Sequence, residues 1–460
     1  MKKKHSIAFL MILSCICMFS ACSFSDAVDG FGRLLGLDMG PEQTNEVNVS
    51  ADVEYVSSPM DEPVITKDPV DEPAPEIRDT DITEPDGPLP EYEEIYDEEG
   101  KVYSKKAADP NRITISFAGD ICLTEGCSVL NYIKRHDHNM KNSFNDELYD
   151  LMTGSDIFVL NNEFPYSKGG APLPDKMYTF RADPADAVLL HDIGVDVVSL
   201  ANNHCYDYGP VALTDTFATL NDIDMPYIGA GSDINEAMKP AYFLINGKKI
   251  AIIAATQIEG YANPETKEAT ASSPGVLRCL DTTVIRQVIE DAESQSDFVI
   301  CFIHWGTERS DLIREWQKST ARDMVDSGAD FIIGAHSHCL QGIDYIDGVP
   351  VCYSLGNYLF NSNTQDTCLI TLTLDTTAAD ATDIESLRFI PCIQSGGMTY
   401  TADAANTERI IRYEQGISFH ALIDANGYVS YTSKDMNTQN GRNTSPMRKD
   451  EDTAEENVKD

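Results

Sequence analysis

The sequence has few basic residues for its length and a large excess of acidic ones. Among 460 residues it contains 34 Lys and Arg against 75 Asp and Glu, and its formal net charge is −41. Proteins that bind nucleic acid need Lys and Arg to contact the phosphates, so this composition argues against a nucleic-acid partner. An anionic polymer as a partner would require a local basic patch, which the sequence alone does not locate.

The apolar run near the N-terminus is too short for a comfortable membrane span. It covers Ile7–Phe19, follows the basic residues Lys2–Lys4 and ends at Phe19–Cys22, which resembles a bacterial lipoprotein cleavage box. We therefore predict a signal peptide over residues 1–22 and lipidation of Cys22. The protein would then be extracytoplasmic and anchored to the bacterial cell membrane. The alternative is an ordinary secretory signal or an uncleaved anchor, with Cys22 incidental.

Twelve cysteines are present, but they lack the pattern of a disulfide framework. Cys15, Cys17 and Cys22 lie in the predicted signal, and the other nine are odd in number, scattered and part of a domain large enough to have its own core. Most are predicted to be small buried side chains. Cys205 and Cys339, which follow or flank predicted site residues, either pair or simply pack.

Composition divides the chain into three parts after the signal. Residues 23–110 are rich in Asp, Glu and Pro, which predicts a disordered acidic linker that holds the following domain away from the membrane. Residues 111–432 are predicted to form one α/β domain. Residues 433–460 are polar and are predicted to form a loose C-terminal tail.

Short apolar runs alternate with helical patterns from residue 112 onward. Strands are predicted at 113–118, 157–160, 196–200, 249–255, 298–303, 330–333 and 350–354. Helices are predicted at 184–193, 210–221, 282–294 and 311–327. Strands that are apolar throughout and separated by helices indicate sheets covered on both faces. Residues 366–431 alternate like antiparallel strands, including 416–424, and are predicted to complete a second sheet.

Five polar signatures follow these apolar runs in order. They are Phe117–Asp120, Asn161–Glu163, Ala201–His204, His304–Gly306 and Gly334–His338. They contain four of the nine histidines in the chain. Each signature alone is more typical of a turn, a cap or a packed histidine. Because α/β sheets bind ligands beyond the carboxyl ends of their strands, the set together predicts a centre with two metal ions held by carboxylate, amide and imidazole ligands.

The signatures resemble those of the CapA-type capsule and poly-γ-glutamate biosynthesis proteins, within the calcineurin-like metallophosphoesterase superfamily. The resemblance spans about 112–362, from ISFAGD through NNEFP, LANNHCYDYG, IHWGTE and GAHSHCLQ to YSLGNYLF. It implies a four-layer α/β/β/α sandwich with a dimetal cleft at the strand ends. The loop Ser354–Asn357 resembles the family's loop that closes over the cleft.

The resemblance also implies a role for each site residue. Asp120 and His338 resemble ligands of a first metal, and Glu163 resembles the carboxylate that bridges both metals. The second metal would be held by Asn203, His304 and His336. Two divalent transition metals are implied, either Mn, Fe or Zn. His204 resembles the histidine beside the substrate and is a candidate general acid.

Two positions depart from the wider superfamily. Cys122 stands where a histidine is usual two residues after the first Asp, and Glu163 stands where the bridging residue is usually Asp. Both departures argue against plain phosphoesterase activity. Cys122 is either a thiolate ligand, which would favour zinc, or a buried neighbour of the site, which is the interpretation we favour.

Three functions remain open from the sequence. The first is a role in synthesis, export or release of poly-γ-glutamate or a capsule-type surface polymer through the dimetal cleft. The second is a non-catalytic accessory subunit that binds the anionic polymer or a membrane synthase. The third is a metal-dependent phosphoesterase with another substrate.

Overall fold

Two large mixed β-sheets form the centre of the fold. The computed structural model describes residues 92–96, 101–258, 267–377 and 382–435. These residues all belong to one of two units into which the chain divides, Pro63–Asp460. The predicted signal peptide, Cys22 and most of the predicted linker and tail lie outside the described residues.

The first sheet has eight strands, and its central strands run parallel. In spatial order they are β1 (Glu93–Tyr96), β2 (Lys101–Ser104), β8 (Ala241–Ile245), β9 (Lys248–Thr256), β11 (Phe298–Trp305), β12 (Phe331–His336), β14 (Val349–Leu355) and β13 (Leu340–Ile346). Strands β9, β11, β12 and β14 pair in parallel. Their residues are almost all buried, which explains why the sequence shows continuous apolar runs there.

The second sheet joins a parallel half to an antiparallel half. Its main path is β19 (Ala421–Ile423), β20 (Tyr428–Tyr431), β17 (Asp383–Ser395), β16 (Gln365–Asp375), β3 (Arg112–Ile121), β4 (Ile157–Asn162), β5 (Val197–Ser199) and β6 (Tyr227–Ile228). The short strand β15 (Asn357–Leu359) pairs with the end of β3, and β18 (Met398–Thr401) pairs with β17. A separate ribbon contains β7 (Ala230–Gly231) and β10 (Gly275–Val276).

Most helices cover the outer faces of the two sheets, whereas the last, Ala404–Ile417, packs Ile410 into the apolar cluster between them. They are α1 (Ser128–Arg135), α2 (Asp146–Thr153), α3 (Gly209–Asp222), α4 (Ile234–Ala237), α5 (Thr283–Glu293), α6 (Glu315–Asp326) and α7 (Ala404–Ile417), with 3₁₀ helices at Met140–Ser143 and Pro184–Ile193. Among the described residues, no helix has both the length and the hydrophobicity that crossing a bilayer requires.

Three apolar clusters hold these layers together. One combines Phe117 of the second sheet with Phe302 of the first, so the sheets pack face to face. Another joins the second sheet to α1, α2 and α3, and the last joins the first sheet to α5 and α6. Helix, sheet, sheet and helix therefore follow in order, and the predicted four-layer α/β/β/α fold is confirmed.

The predicted linker extends too far toward the domain. Strand β2 pairs in parallel with β8, and β1 pairs with β2, so both extend the first sheet. Val102 is buried, and Lys105 Nζ lies 2.6 Å from Asp196 Oδ1 in the domain. A few apolar side chains, among them Val102 and Ala107, and the cation of Lys105 hold this segment, although its overall composition is acidic. The domain therefore begins before residue 110.

Residues 416–424 are also not one strand. Helix α7 extends to Ile417, and only Ala421–Ile423 of this segment forms a strand. The helix begins at Asp403, whose side chain accepts a hydrogen bond from Asn406 N at 2.9 Å. The cap and the helix behind it outweigh the alternating pattern that predicted a strand.

Replacing Phe117 tests the packing between the sheets. Its ring is fully buried, with its centroid 5.3 Å from that of Phe331 in the opposite sheet. We expect Phe117→Ala to lower the free energy of unfolding by about 3–5 kcal/mol in chemical denaturation, because the cavity cannot close. Leu312→Ala, at a side chain 54% exposed, is the control and should change stability by less than about 0.5 kcal/mol. Equal effects would contradict the sandwich.

Candidate metal centre

The predicted ligands meet where strands of both sheets end. Asp120 lies near the end of β3, and Glu163 and Asn203 follow β4 and β5 of the second sheet. His304 and His336 lie at the ends of β11 and β12 of the first sheet. Because these strands run parallel within each sheet, their carboxyl ends meet at one edge.

Two carboxylates lie buried at the centre of this edge. Asn161 Nδ2 donates to Asp120 Oδ1 at 2.7 Å and to Glu163 Oε2 at 3.3 Å. Glu163 Oε1 is buried without a hydrogen-bond partner. Burial, reinforced by the charge of Asp120, raises the pKa of Glu163 well above its usual value. An unpartnered buried carboxylate oxygen is costly, and a cation bound there would offset that cost.

Two buried imidazoles face Glu163 from the first sheet. His304 Nε2 lies 2.8 Å from Asn203 Oδ1, 3.0 Å from His336 Nδ1 and 3.6 Å from Glu163 Oε1. Burial and the neighbouring imidazoles lower the pKa of His304 and of His336 well below the usual value. Both rings are therefore neutral at neutral pH, which is the form that binds metals.

His338 contacts the other carboxylate. Its Nδ1 lies 3.3 Å from Asp120 Oδ2 and 2.8 Å from Asn357 Oδ1, and its Nε2 lies 4.0 Å from Glu163 Oε1. Burial lowers the pKa of His338, but Asp120, Glu308 and Asn357 together outweigh burial and raise it overall. Asn357 is placed here because β15 pairs it with Asp120.

The backbone from His336 to His338 is not extended. His336 has a φ of 95° and His338 a φ of 53°, so both lie in the left-handed region. This conformation lets His336 N donate to Asp120 Oδ2 at 3.3 Å. It also directs the two imidazoles to different partners rather than to one. A non-glycine residue with positive φ is uncommon and is found at functional sites.

These side chains form two groups that could each hold a metal ion. One contains Glu163, His304 and His336, and the other contains Asp120, Glu163 and His338. The ligand atoms of each group lie within 4.8 Å of one another, and Glu163 belongs to both. Asn203 joins the first group through its contact with His304. The donor set and the unpartnered oxygen of Glu163 fit divalent transition metals.

His204 lies beside the two groups and outside both. Its Nδ1 is 2.8 Å from Asp207 Oδ2, and Asp207 Oδ1 is 2.7 Å from Lys176 Nζ. Lys176 also donates to the carbonyl oxygen of Asn203. Burial lowers the pKa of His204, while the charge of Asp207 opposes this effect. The ring of Phe180 covers the imidazole, with centroids 4.2 Å apart.

The roles of several residues that shape the site were not predicted from the sequence. Asn161 bridges the carboxylates, and Asn202 Nδ2 donates to Asn161 Oδ1 at 3.0 Å. Asp207 and Lys176 hold His204 and the Asn203 backbone. A carboxylate three residues after a histidine was a usable signal for Asp207. Lys176 offered no signal, because it lies on a distant loop.

The three cysteines near the site do not join its two groups. Cys122 belongs to the apolar cluster beneath α1, and its Sγ lies 2.8 Å from Thr124 Oγ1. Cys205 Sγ donates to the Asn202 carbonyl, and Cys339 Sγ contacts Ser337 Oγ. All three are free thiols. The placement of Cys122 accords with a buried neighbour of the site.

The solved structures that match this chain have low sequence identity and low TM-scores. A hypothetical protein from Thermus thermophilus matches 61% of this chain and 98% of its own, with 14% identity and a TM-score of 0.37. The sulfate thiohydrolase SoxB from the same organism matches 59% of this chain and 42% of its own, with 10% identity and a TM-score of 0.33.

Curated relatives share more of the sequence. The PGA biosynthesis protein CapA of Bacillus subtilis is 30% identical over 264 residues, which cover 56% of this chain and 67% of the relative. The capsule biosynthesis protein CapA of Bacillus anthracis is 28% identical over 322 residues, which cover 67% and 74%. Residues 114–362, more than half of the chain, match the sequence model of a protein family. That family is described as bacterial capsule synthesis protein PGA_cap. As the five signatures predicted, the chain belongs to this family of bacterial capsule synthesis proteins.

Proposed function

We propose that this protein is a lipid-anchored, extracytoplasmic member of the family that uses a dimetal cleft. It would act in the synthesis, export or release of poly-γ-glutamate or a capsule-type surface polymer. The relatives named for such biosynthesis support the polymer. The main support for the proposed dimetal cleft is the pair of ligand groups that share Glu163. The Oε1 atom of Glu163 is buried without a hydrogen-bond partner.

The residues of the two groups would hold the two metals. Asp120, Glu163 and His338 would bind the first, and Glu163, His304 and His336, with Asn203, would bind the second. The ions would be Mn, Fe or Zn, which accept imidazole and carboxylate ligands. When bound, a pair of divalent cations stabilises an oxyanion and lowers the pKa of a water molecule.

His204 is the proposed proton-transfer group of the cleft. In the neutral imidazole, Nδ1 donates its hydrogen to Asp207 Oδ2, which leaves Nε2 to contact a substrate. Asp207 also stabilises the protonated ring, the form that a general acid needs. Phe180 excludes water from one face of the imidazole. Lys176 keeps Asp207 in position through its ion pair.

A non-catalytic accessory role is the second candidate. One relative, from Mycobacterium tuberculosis, is named "Probable polyglutamine synthesis accessory protein" and is 28% identical over 212 residues, which cover 45% of this chain and 56% of the relative. In that role the cleft would bind the anionic polymer or a membrane synthase without turnover. Phosphoester hydrolysis on another substrate is the third candidate, and measured turnover of generic phosphoesters would favour it.

Replacing Glu163 in the host organism distinguishes the first two candidates. We expect Glu163→Gln in the chromosomal copy to abolish or shorten the surface polymer, measured by its amount and chain length, while the protein level stays normal. His136→Ala is the control, because that exposed ring contacts Tyr132 of its own helix and lies outside both ligand groups. Normal polymer in the Glu163→Gln strain, combined with loss of polymer in a deletion strain, would favour the accessory role.

The proposed anchor predicts lipid on Cys22. We expect Cys22→Ala to abolish labelling by a radioactive or clickable fatty acid and to release the protein from the membrane fraction, because acylation needs the Cys22 thiol. Cys17→Ala, within the same apolar run, is the matched control and should leave labelling unchanged. Persistent labelling of the Cys22→Ala protein would refute lipidation at this position.

Replacing Cys122 tests whether its thiol binds metal. We expect Cys122→Ser to retain the full metal content in elemental analysis, because the thiol contacts Thr124 and lies outside both ligand groups. The His338→Ala variant is the comparison, since it removes a proposed ligand of the same metal. Loss of one metal equivalent from Cys122→Ser would show that the thiolate is a ligand.

A further inference from the structure

A second cysteine lies against Cys122 at the start of α1. Cys127 occupies the N-cap position of that helix, where its Sγ accepts a hydrogen bond from Leu130 N at 3.3 Å. The same Sγ lies 3.6 Å from the carbonyl oxygen of Cys122. Neither thiol has a role in the two ligand groups.

A tight turn brings the two cysteines together. Cys127 N donates to Thr124 O at 3.0 Å, and Gly126 adopts a φ of 79°, which glycine permits without strain. Strand β3 ends at Ile121 and α1 begins at Ser128, so rigid elements hold both ends of the turn. Disulfide bonds require that the two side chains come within short range, and this turn holds the Cys127 sulfur 3.6 Å from the Cys122 backbone.

We propose that Cys122 and Cys127 form a disulfide bond when the protein meets a disulfide oxidant, either a small disulfide or a disulfide-exchange protein. The Cys127 sulfur attacks one sulfur of the oxidant and loses its proton, and the oxidant's other sulfur leaves as a thiol. The Cys122 sulfur then attacks the Cys127 sulfur of the mixed disulfide, loses its proton and releases the second thiol. The protein loses two protons and two electrons, which the oxidant gains.

The surroundings assign the two sulfurs different parts in this reaction. Cys127 is half-buried and sits at a helix N-terminus, where partial positive charge favours a thiolate. Cys122 is buried, with only 3% of its surface exposed, so an external oxidant reaches Cys127 first. In the oxidised protein Cys122 could not act as a thiolate ligand. The helix cap would persist, since a disulfide sulfur still accepts weakly from Leu130 N.

Peptide mapping of the full chain tests the bond directly. The purified protein is equilibrated with oxidised glutathione, blocked with N-ethylmaleimide under denaturing conditions and digested with trypsin. Both cysteines fall in the single tryptic peptide Ile113–Lys134. We expect this peptide to lose the mass of two hydrogen atoms and to take up no maleimide, whereas after reduction it takes up maleimide at both cysteines.

Two controls keep the result specific. Cys301 is fully buried in β11 and should react with maleimide in both states once the protein is denatured. In Cys127→Ser, Cys122 should be alkylated in both states. Maleimide on both cysteines after oxidation, glutathione left on Cys127, or a bond from Cys122 to any other cysteine would overturn the proposal. This readout is independent of metal content and polymer synthesis, so the proposed function can fail without affecting it.

Discussion

Glu163→Gln should remove metal from both ligand groups of the purified protein. Glu163 belongs to both groups, and its Oε1 is the buried oxygen without a partner. The neutral glutamine amide lacks the negative charge that would offset two cations. It also places an NH₂ donor where one of the carboxylate oxygens would bind a metal. We expect elemental analysis to show near-complete loss of metal, which exceeds the roughly 10–100-fold loss of affinity typical of residues that only support ligands.

Glu308→Gln is the matched control for this substitution. Glu308 is exposed, and its charge reaches the cleft strongly enough to raise the pKa of Glu163 and of His338. It belongs to neither ligand group. We expect this variant to keep its metal. Retained metal in Glu163→Gln, or equal loss in both variants, would contradict the role of Glu163 as the shared ligand.

His336→Ala should remove the metal of one group and leave the other in place. His336 belongs to the group with Glu163 and His304, whereas the other group contains Asp120 and His338. We expect elemental analysis to show that the variant retains one of the two equivalents. His338→Ala should remove the complementary equivalent, because it deletes a ligand of the other group.

His136→Ala controls for loss of any imidazole. That ring stacks on Tyr132 with centroids 4.0 Å apart, and its Nδ1 contacts the Tyr132 carbonyl on the surface. We expect full metal content in this variant. If His336→Ala also retained both equivalents with its fold intact, the proposed second metal site would be wrong.

The strand ends were predictable because strands buried on both faces consist of continuous apolar residues, which the sequence shows directly. The apolar runs before Asp120, Glu163 and His304 mark strands buried on both faces, and parallel strands end at one edge. The clustering of distant polar residues follows from this rule alone. The family resemblance then supplied the division of the ligands between two metals, which stays a prediction.

Contacts between distant segments could not be predicted in this way. Lys176 forms an ion pair with Asp207 from a loop that precedes β5 in the sequence. Lys105 forms one with Asp196 from a segment that was predicted to be linker. Single ion pairs leave no periodic pattern. The left-handed conformation of His336 was also not predicted from the sequence. Tertiary contacts therefore decided these details.

Anomalous diffraction from crystals grown with Mn²⁺ tests the dimetal cleft most directly. We expect two anomalous peaks, one between Asp120, Glu163 and His338 and the other between Glu163, His304 and His336, with Glu163 contacting both. No peak at these residues, or a single peak coordinated by the Cys122 sulfur, would contradict it.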